Sequence, residues 1–198
     1  MYEKVNITEN HFRALSLFTR GLGAEYYIRE VQRLLGISPR TSQLILDDLE
    51  KKAVLESRTR GKIRTYGIRK SEAAKDYLVF AEQYKKITFL RGRPMIREVI
   101  SKITPMIRGL GMVFGSYAKG VEKKGSDLDV FIAGDYDRRG VKKVSELYGI
   151  EISVKSYPME IFKRDIRKDA LIREVLSDHV VFSGAEEFVR TVLEDGQD

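Results

Sequence analysis

The chain has 198 residues, of which 42% are hydrophobic and 33% are charged, and its net charge is +7 at pH 7. Length and composition predict a soluble globular protein of one large domain or two small ones. The absence of cysteine excludes disulfides and thiolate metal sites. The chain has no run of eighteen apolar residues and no secretion signal, so we expect a cytoplasmic protein without membrane contact.

The positive charge is concentrated in the N-terminal half. Residues 1–94 contain 19 Lys and Arg against 11 Asp and Glu, a net charge of +8, whereas residues 95–198 contain 17 against 18. This asymmetry indicates a polyanionic partner for the N-terminal half. A surface that is basic only for solubility is the alternative.

Three helices are predicted first. Thr8 is the N-cap of a helix that ends at the glycines of residues 21–23. A second helix ends at Gly36, and its apolar face consists of Ile28, Val31, Leu34 and Leu35. Ser38 and Pro39 begin a third helix. Its inward residues are predicted to be Thr41, Leu44, Ile45 and Leu49, and its outward residues Arg40, Ser42, Gln43 and Asp47.

A hairpin follows the third helix. Its strands span residues 54–59 and 63–68, with a glycine-containing turn at 60–62. Between Ser57 and Ser71 the chain has six positively charged residues and no acidic one. The four that are placed to contact phosphates are Arg58, Arg60, Lys62 and Arg64.

In overall pattern, residues 8–70 resemble the winged-helix domains of ArsR- and MarR-like repressors. The resemblance implies that the third helix docks on double-stranded DNA with its first turn, which carries Arg40, Thr41, Ser42 and Gln43. Because arginine pairs with guanine and glutamine with adenine, Arg40 and Gln43 are candidates for base contacts. A winged helix that contacts another protein is the alternative.

An amphipathic helix is predicted from Ser71 to about Leu90. Its apolar stripe indicates either pairing of two chains in a homodimer or packing on the chain's own domains. Residues 91–94, with a glycine and a proline, are the predicted boundary. We therefore expect a winged-helix domain at 1–70, a linker helix at 71–94 and a second domain at 95–198.

The second domain is predicted as helix, strand, turn, short helix, strand, helix, strand, followed by a C-terminal tail. The last helix before the tail covers residues 140–148, and the tail has a helix at 166–176, a strand at 180–182 and a helix at 185–193. This order is typical of an α+β fold with a small mixed sheet. The fold class expected for the chain is α+β, with a winged helix-turn-helix followed by a small mixed-sheet domain.

The most informative segment is residues 111–132. It predicts a buried strand, a tight turn at Gly115 and Ser116, and a second strand entered with Asp127. Because side chains alternate along a strand, Asp127 and Asp129 leave the same face. Paired carboxylates suit Mg²⁺, which takes its other ligands from water and substrate phosphates. Gly115 has no side chain, so backbone N–H groups can approach phosphate oxygens there.

Phe114-Gly115-Ser116 and Asp127-Leu128-Asp129-Val130 resemble the signature of the nucleotidyltransferase superfamily related to DNA polymerase beta. The resemblance implies a nucleoside triphosphate substrate, with Mg²⁺ or Mn²⁺ held by the two aspartates. It also implies that Gly115 and Ser116 anchor the triphosphate, and Lys119 is a candidate for neutralising it. The alternative is a β-turn followed by an exposed Asp-x-Asp on an edge strand.

The same resemblance requires a third carboxylate on the next strand, at 149–157. Alignment on Pro158 and Phe162 places Ser153 at that position, and a serine cannot bridge two metals. Glu151 lies two residues earlier on the same strand face and is the candidate third acid. A solvated glutamate at a strand end is an equal alternative.

The sequence thus predicts a DNA-binding regulator that transfers a nucleoside monophosphate from a triphosphate to an acceptor. The acceptor is a protein hydroxyl, an RNA or a small molecule, and the residues do not distinguish these. Two other functions compete: a regulator that senses nucleotide without catalysis, and a template-independent RNA polymerase. The small size of the second domain argues against the polymerase.

Overall fold

The computed structural model describes residues 6–21 and 23–195. The chain folds into two compact units, the first ending at Ala81 and the second beginning at Glu82. The boundary falls inside the helix Glu72–Arg91, so this helix contributes its first half to one unit and its second half to the other.

The first unit consists of helices and a small antiparallel sheet. Its elements are α1 (Glu9–Phe18), β1 (Tyr26–Tyr27), α2 (Ile28–Leu35), α3 (Pro39–Lys51), β2 (Leu55–Arg60), β3 (Ile63–Ile68) and the first half of α4 (Glu72–Arg91). The strand order is β1-β3-β2, and both neighbouring pairs are antiparallel. The core between the helices is apolar, and its buried residues include Leu15, Phe18, Val31, Leu46 and Leu49.

Three of the predicted helix ends in this unit are confirmed, whereas α1 ends at Phe18, before the glycines where its end was predicted. α1 begins directly after Thr8, whose backbone N–H donates to Nδ1 of His11 at 3.2 Å. α2 ends at Gly36, which has a left-handed φ of 65°. The hydroxyl of Ser38 accepts a hydrogen bond from the N–H of Thr41 at 3.0 Å, as expected of an N-cap residue.

The predicted orientation of α3 is wrong at two positions. Ser42, expected outward, is fully buried, and Leu44, expected inward, is 53% exposed. Ser42 tolerates burial because its hydroxyl donates to the carbonyl of Ser38 at 3.1 Å. Leu46 is fully buried and takes the inward place that the prediction gave to Leu44.

The apolar stripe predicted on α4 is only partly covered. Ala81 is buried, whereas Phe80 and Ile87 are 60% and 66% exposed. The exposed residues are available to another molecule, and a homodimer through them stays a prediction.

The second unit is an α+β arrangement around a four-stranded sheet. After the second half of α4 its elements are α5 (Pro94–Ile103), β4 (Ile107–Val113), α6 (Gly115–Lys119), β5 (Leu128–Tyr136), α7 (Arg138–Tyr148), β6 (Ile152–Tyr157), α8 (Met159–Asp165), α9 (Ala170–Ser177), β7 (Val180–Ser183) and α10 (Ala185–Asp195). A short 3₁₀ turn, Thr104–Met106, joins α5 to β4. The helix predicted at 166–176 corresponds to α9, which begins later because Asp169 is its N-cap, and α8 is a further helix that was not predicted.

The sheet is mixed, as predicted. Its order is β6-β5-β4-β7, with β4 antiparallel to β5 and β7, and β5 parallel to β6. Leu128, Val130 and Ile132 of β5 belong to the apolar cluster that also contains α5 and α7 residues. On the opposite face, Phe131 contacts the rings of Tyr157 and Phe162. The middle of β5 is therefore buried, and its two ends remain accessible, with Asp129 half-buried at one end and Asp135 exposed at the other.

Candidate functional site

The candidate site lies where β4 ends and β5 begins. Phe114, between β4 and α6, donates its N–H to the carbonyl of Asp129 at 3.0 Å. This hydrogen bond extends the β4–β5 pairing by one step and brings the glycine turn next to the first residues of β5. The sequence prediction that the glycine turn and the aspartates meet agrees with this arrangement.

Gly115 and Asp129 are in direct contact. Gly115 has a φ of 68°, and a Cβ placed on it would lie 3.0 Å from Cγ of Asp129 and closer still to Oδ2. An L-residue is disfavoured here both by its backbone and by the carboxylate. Gly115 is therefore required by the space that Asp129 occupies.

Asp129 is the second residue of β5, on the face opposite to the buried Leu128 and Val130, and Asp127 directly precedes the strand. Asp127 is exposed and Asp129 is half-buried. Burial, then the charges of Asp127 and Glu174, raises the pKa of Asp129, while the charge of Lys155 opposes this. Negative charge is thus concentrated at one point, which favours a cation there.

Glu174 and Lys155 are the site residues that the sequence did not reveal. Glu174 lies on the exposed side of α9, whose Ile172, Val175 and Leu176 are buried. Lys155 lies on β6, two residues after Ser153. Neither belongs to the motif around Gly115, and only the packing of α9 and β6 brings their charges to Asp129.

The third-acid position is occupied by serine. In the parallel pairing of β5 with β6, Ser153 is directly opposite Asp129. Glu151 is exposed just before β6, and its carbonyl accepts a hydrogen bond from the N–H of Leu128 at 2.8 Å. The register therefore agrees with the alignment that placed serine, rather than an acid, beside Asp129.

The donor set fits a hydrated divalent cation bound to two carboxylates. Within residues 6–21 and 23–195, no group of three or more His, Cys, Asp and Glu side chains is arranged to hold a metal ion. Mg²⁺ commonly binds proteins through one or two carboxylates and takes its remaining ligands from water and substrate phosphates. Asp127 and Asp129 supply such a pair, whose mutual repulsion a cation relieves.

The other predicted nucleotide contacts flank this pair. Ser116 follows Gly115 in the first turn of α6 and is half-buried, and Lys119 is exposed at the end of the same helix. The segment from Gly120 to Asp127 then leads back to β5. The structure therefore groups Gly115, Ser116, Lys119 and the two aspartates around one short helix and the segment that follows it.

The predicted DNA contacts of α3 have different environments. Arg40 is exposed and its guanidinium donates to the Gln43 side chain at 3.3 Å. Thr41 is half-buried, with its hydroxyl 2.8 Å from that of Ser38. Ser42 is buried and has no surface for a ligand. Of these four residues only Arg40 is exposed, and Gln43 is half-buried like Thr41.

The hairpin residues also differ from one another. Lys62 is exposed in the turn, and Arg58 pairs with Glu56 at 2.9 Å on the surface. Arg64 is paired with Asp47 and Glu50 of α3, and its guanidinium lies 5.0 Å from the centre of the Tyr66 ring. The backbone of Arg60 belongs to β2, but its side chain lies outside the described part of the structure. The side chain of Arg64 is thus engaged in contacts within the first unit.

None of the described helices combines the length and apolar character needed to cross a lipid bilayer. Comparison with curated proteins and with solved structures gives no match. Comparison with family models gives one, over residues 94–183, which include the glycine turn, both aspartates and all four strands of the second sheet. The family whose model residues 94–183 match is the nucleotidyltransferase domain, so this part of the second unit is similar to that domain.

Proposed function

We propose that the second unit transfers a nucleoside monophosphate from a nucleoside triphosphate to a hydroxyl acceptor. The observation that carries this proposal is the contact between Asp129 and Gly115, with the charge of Asp127, just before β5, acting on Asp129. The match to the nucleotidyltransferase domain supports the reaction class. The acceptor, whether protein, RNA or small molecule, is left for experiment.

Each residue at the site has a role in this proposal. Asp127 and Asp129 hold Mg²⁺ or Mn²⁺, which supplies charge neutralisation at the triphosphate. Gly115 and Ser116 orient the phosphates through backbone N–H groups and the Ser116 hydroxyl, and Lys119 offsets their charge. The acceptor oxygen bonds to the α-phosphorus as the bond to pyrophosphate breaks. Glu151 takes the acceptor proton.

The test uses triphosphate labelled at two positions. ATP or CTP with an α-phosphate label is incubated with the full chain, Mg²⁺ and a cell extract, and a γ-labelled sample runs in parallel. Transfer of the α label alone, lost in Asp127→Asn, supports nucleotidyl transfer. Transfer of the γ label instead would contradict the proposed reaction and indicate a kinase.

A nucleotide sensor without catalysis is the second candidate. It is favoured by Ser153, which lies opposite Asp129 where a third carboxylate is expected. A sensor binds nucleotide and cation through the same aspartates but transfers no label. Binding without transfer, abolished in Asp127→Asn, would support this candidate over the enzyme.

For the first unit, we propose a winged helix that contacts double-stranded DNA. The support is the exposed Arg40 at the start of α3, the exposed Lys62 in the hairpin turn, and the net charge of residues 1–81, which contain 15 Lys and Arg against 10 Asp and Glu, or +5. Together with the second unit, this makes the chain a transcriptional regulator that carries a nucleotidyltransferase domain. A protein partner for the same surface is the competing outcome of a DNA-binding assay.

A further inference from the structure

The segment from Gly120 to Asp127 is held in one shape by contacts along its length. The N–H of Val121 donates to the carbonyl of Ser116 at 3.0 Å. Lys123 and Ser126 close a turn through two hydrogen bonds: the Ser126 N–H donates to the Lys123 carbonyl at 3.0 Å, and the Lys123 N–H to the Ser126 hydroxyl at 2.9 Å. This segment joins α6 to β5, so its shape determines where Asp127 enters the site.

Glu122 ties this segment to the junction between α4 and α5. Its Oε1 accepts a hydrogen bond from Nε of Arg93 at 2.7 Å. The side chains are only 26% and 22% exposed, which limits screening by water. The hydrogen bond from Arg93 lowers the pKa of Glu122, so Glu122 remains ionised at neutral pH.

Arg93 is itself fixed at the junction between α4 and α5. It is the N-cap residue of α5, and its Nη1 donates to the carbonyl of Phe89 at 3.0 Å. Its guanidinium also lies 4.8 Å from the centre of the Phe89 ring, and Phe89 is part of the apolar core. A guanidinium held at three points is a rigid anchor for the carboxylate that it binds.

We propose, on the basis of the function proposed above, that Arg93 is a positioning residue that holds Asp127 beside Asp129 by way of Glu122. The carboxylates of Asp127 and Asp129 repel each other, and Asp127 is the more exposed of the two, so it can move away more easily. The Arg93–Glu122 pair opposes this movement because it fixes the segment that precedes Asp127. A partner that orients a ligand in this way typically affects metal affinity without touching the metal.

The test compares Arg93→Met with a matched control, Arg97→Met. Arg97 is on the same helix and also donates to a carbonyl of α4, that of Leu90, at 3.1 Å. Two quantities are measured on the full chain: Mn²⁺ affinity, and amide exchange of residues 121–127. We expect Arg93→Met to weaken Mn²⁺ binding roughly tenfold and to speed exchange in the segment, with Arg97→Met near wild type in both.

A charge reversal separates positioning from general damage to the fold. Arg93→Glu and Glu122→Arg should each weaken Mn²⁺ binding, and the double variant should recover most of the loss. Wild-type Mn²⁺ affinity and exchange in Arg93→Met would overturn the proposal, as would a double variant no better than the worse single one. Absence of Mn²⁺ binding in the wild type would count against the proposed function, and unchanged exchange in Arg93→Met would then still overturn the positioning role.

Discussion

The carboxylate of Asp129 occupies the space in which a side chain on Gly115 would begin. Gly115→Ala should therefore displace Asp129 and abolish Mn²⁺ and nucleotide binding. The matched control is Gly149→Ala, because Gly149 has a similar φ of 62° but open space around its Cβ position. Both variants should lose about 1–2 kcal/mol from the left-handed backbone. Only Gly115→Ala should lose binding, and equal binding in the two variants would contradict the contact.

Asp129→Asn should stabilise the protein while it removes cation binding. Burial first, then Asp127 and Glu174, raises the pKa of Asp129 above its ordinary value of 3.8. Between 3.8 and the raised value the native state binds more protons than the unfolded state, so stability falls as pH rises through this window. At neutral pH the ionised Asp129 thus costs stability, which the neutral asparagine does not.

The measurement is urea unfolding at neutral pH and at about pH 3, where the carboxylate is largely protonated in both states. The gain from Asp129→Asn should be larger at neutral pH. Added Mn²⁺ should raise the unfolding free energy of the wild type but not of the variant. A variant less stable than the wild type at neutral pH would show that Asp129 has a net stabilising role.

Glu174→Gln should lower the pKa of Asp129. The negative charge of Glu174 on α9 is one of the causes that raise this pKa, and glutamine removes the charge without changing the shape. A carbon-detected NMR titration of the Asp129 carboxyl measures the effect directly. Glu151→Gln is the comparison, and a larger effect from Glu151→Gln would identify Glu151 as the nearer acid.

The unfolding free energy should fall as the pH drops below about 6.5, the ordinary value of histidine. The chain has two histidines, His11 and His179. Burial lowers the pKa of both; Lys85 lowers that of His179 further, whereas Asp48 opposes the shift at His11. Each stays neutral in the native state at a pH where the unfolded chain binds a proton, so each contributes up to about 1.4 kcal/mol per pH unit.

Urea unfolding from about pH 7.5 to about pH 5 checks this pH dependence. His11→Gln and His179→Gln should each reduce the slope, and the double variant should reduce it most. Because His11 lies in the first unit and His179 in the second, amide exchange assigns each effect to its unit. A slope unchanged by both substitutions would show that other groups cause the pH dependence.

Lys62→Ala and Arg64→Ala should separate DNA binding from stability. Lys62 is exposed in the hairpin turn, so Lys62→Ala should reduce by about 1 the slope of log DNA affinity against log salt concentration. The unfolding free energy should not change. Arg64 contacts Asp47, Glu50 and Tyr66, so its loss should also lower the unfolding free energy. Arg40→Ala should weaken binding mainly at the cognate sequence.

Fluorescence anisotropy at several salt concentrations, with specific and unrelated duplexes, measures all three variants. Equal effects of Arg40→Ala and Lys62→Ala on both duplexes would contradict their assignment to base and phosphate contacts. Unchanged affinity in all three would favour a protein partner for this surface.

Local chemistry made much of the second unit predictable. The aspartates two residues apart, the glycine turn and the apolar strand residues follow from rules that act over a few positions, and the structure has them as expected. The charges of Glu174 and Lys155 reach Asp129 only because α9 and β6 pack beside β5. No short-range pattern contains that information.

In the first unit, too, some features follow from the local sequence and others depend on tertiary packing. Its helix ends followed from Thr8, Gly36 and Ser38, whose capping preferences are local. The two-residue strand β1 has too few residues to show a period, and its pairing with β3 is a tertiary contact. The orientation of α3 was mistaken because a buried serine can be satisfied by its own helix, which the hydrophobic pattern does not reveal.

The participation of α4 in both units determines how the protein can be shortened. A fragment cut at residue 94, where the family match begins, would lack Phe89 from the apolar core and Glu82 and Lys85, which contact the buried His179. One that stopped at residue 183 would also lack Phe188, whose ring packs on His179. Any truncated version of the second unit should therefore keep the second half of α4 and all of α10 if it is to fold by itself.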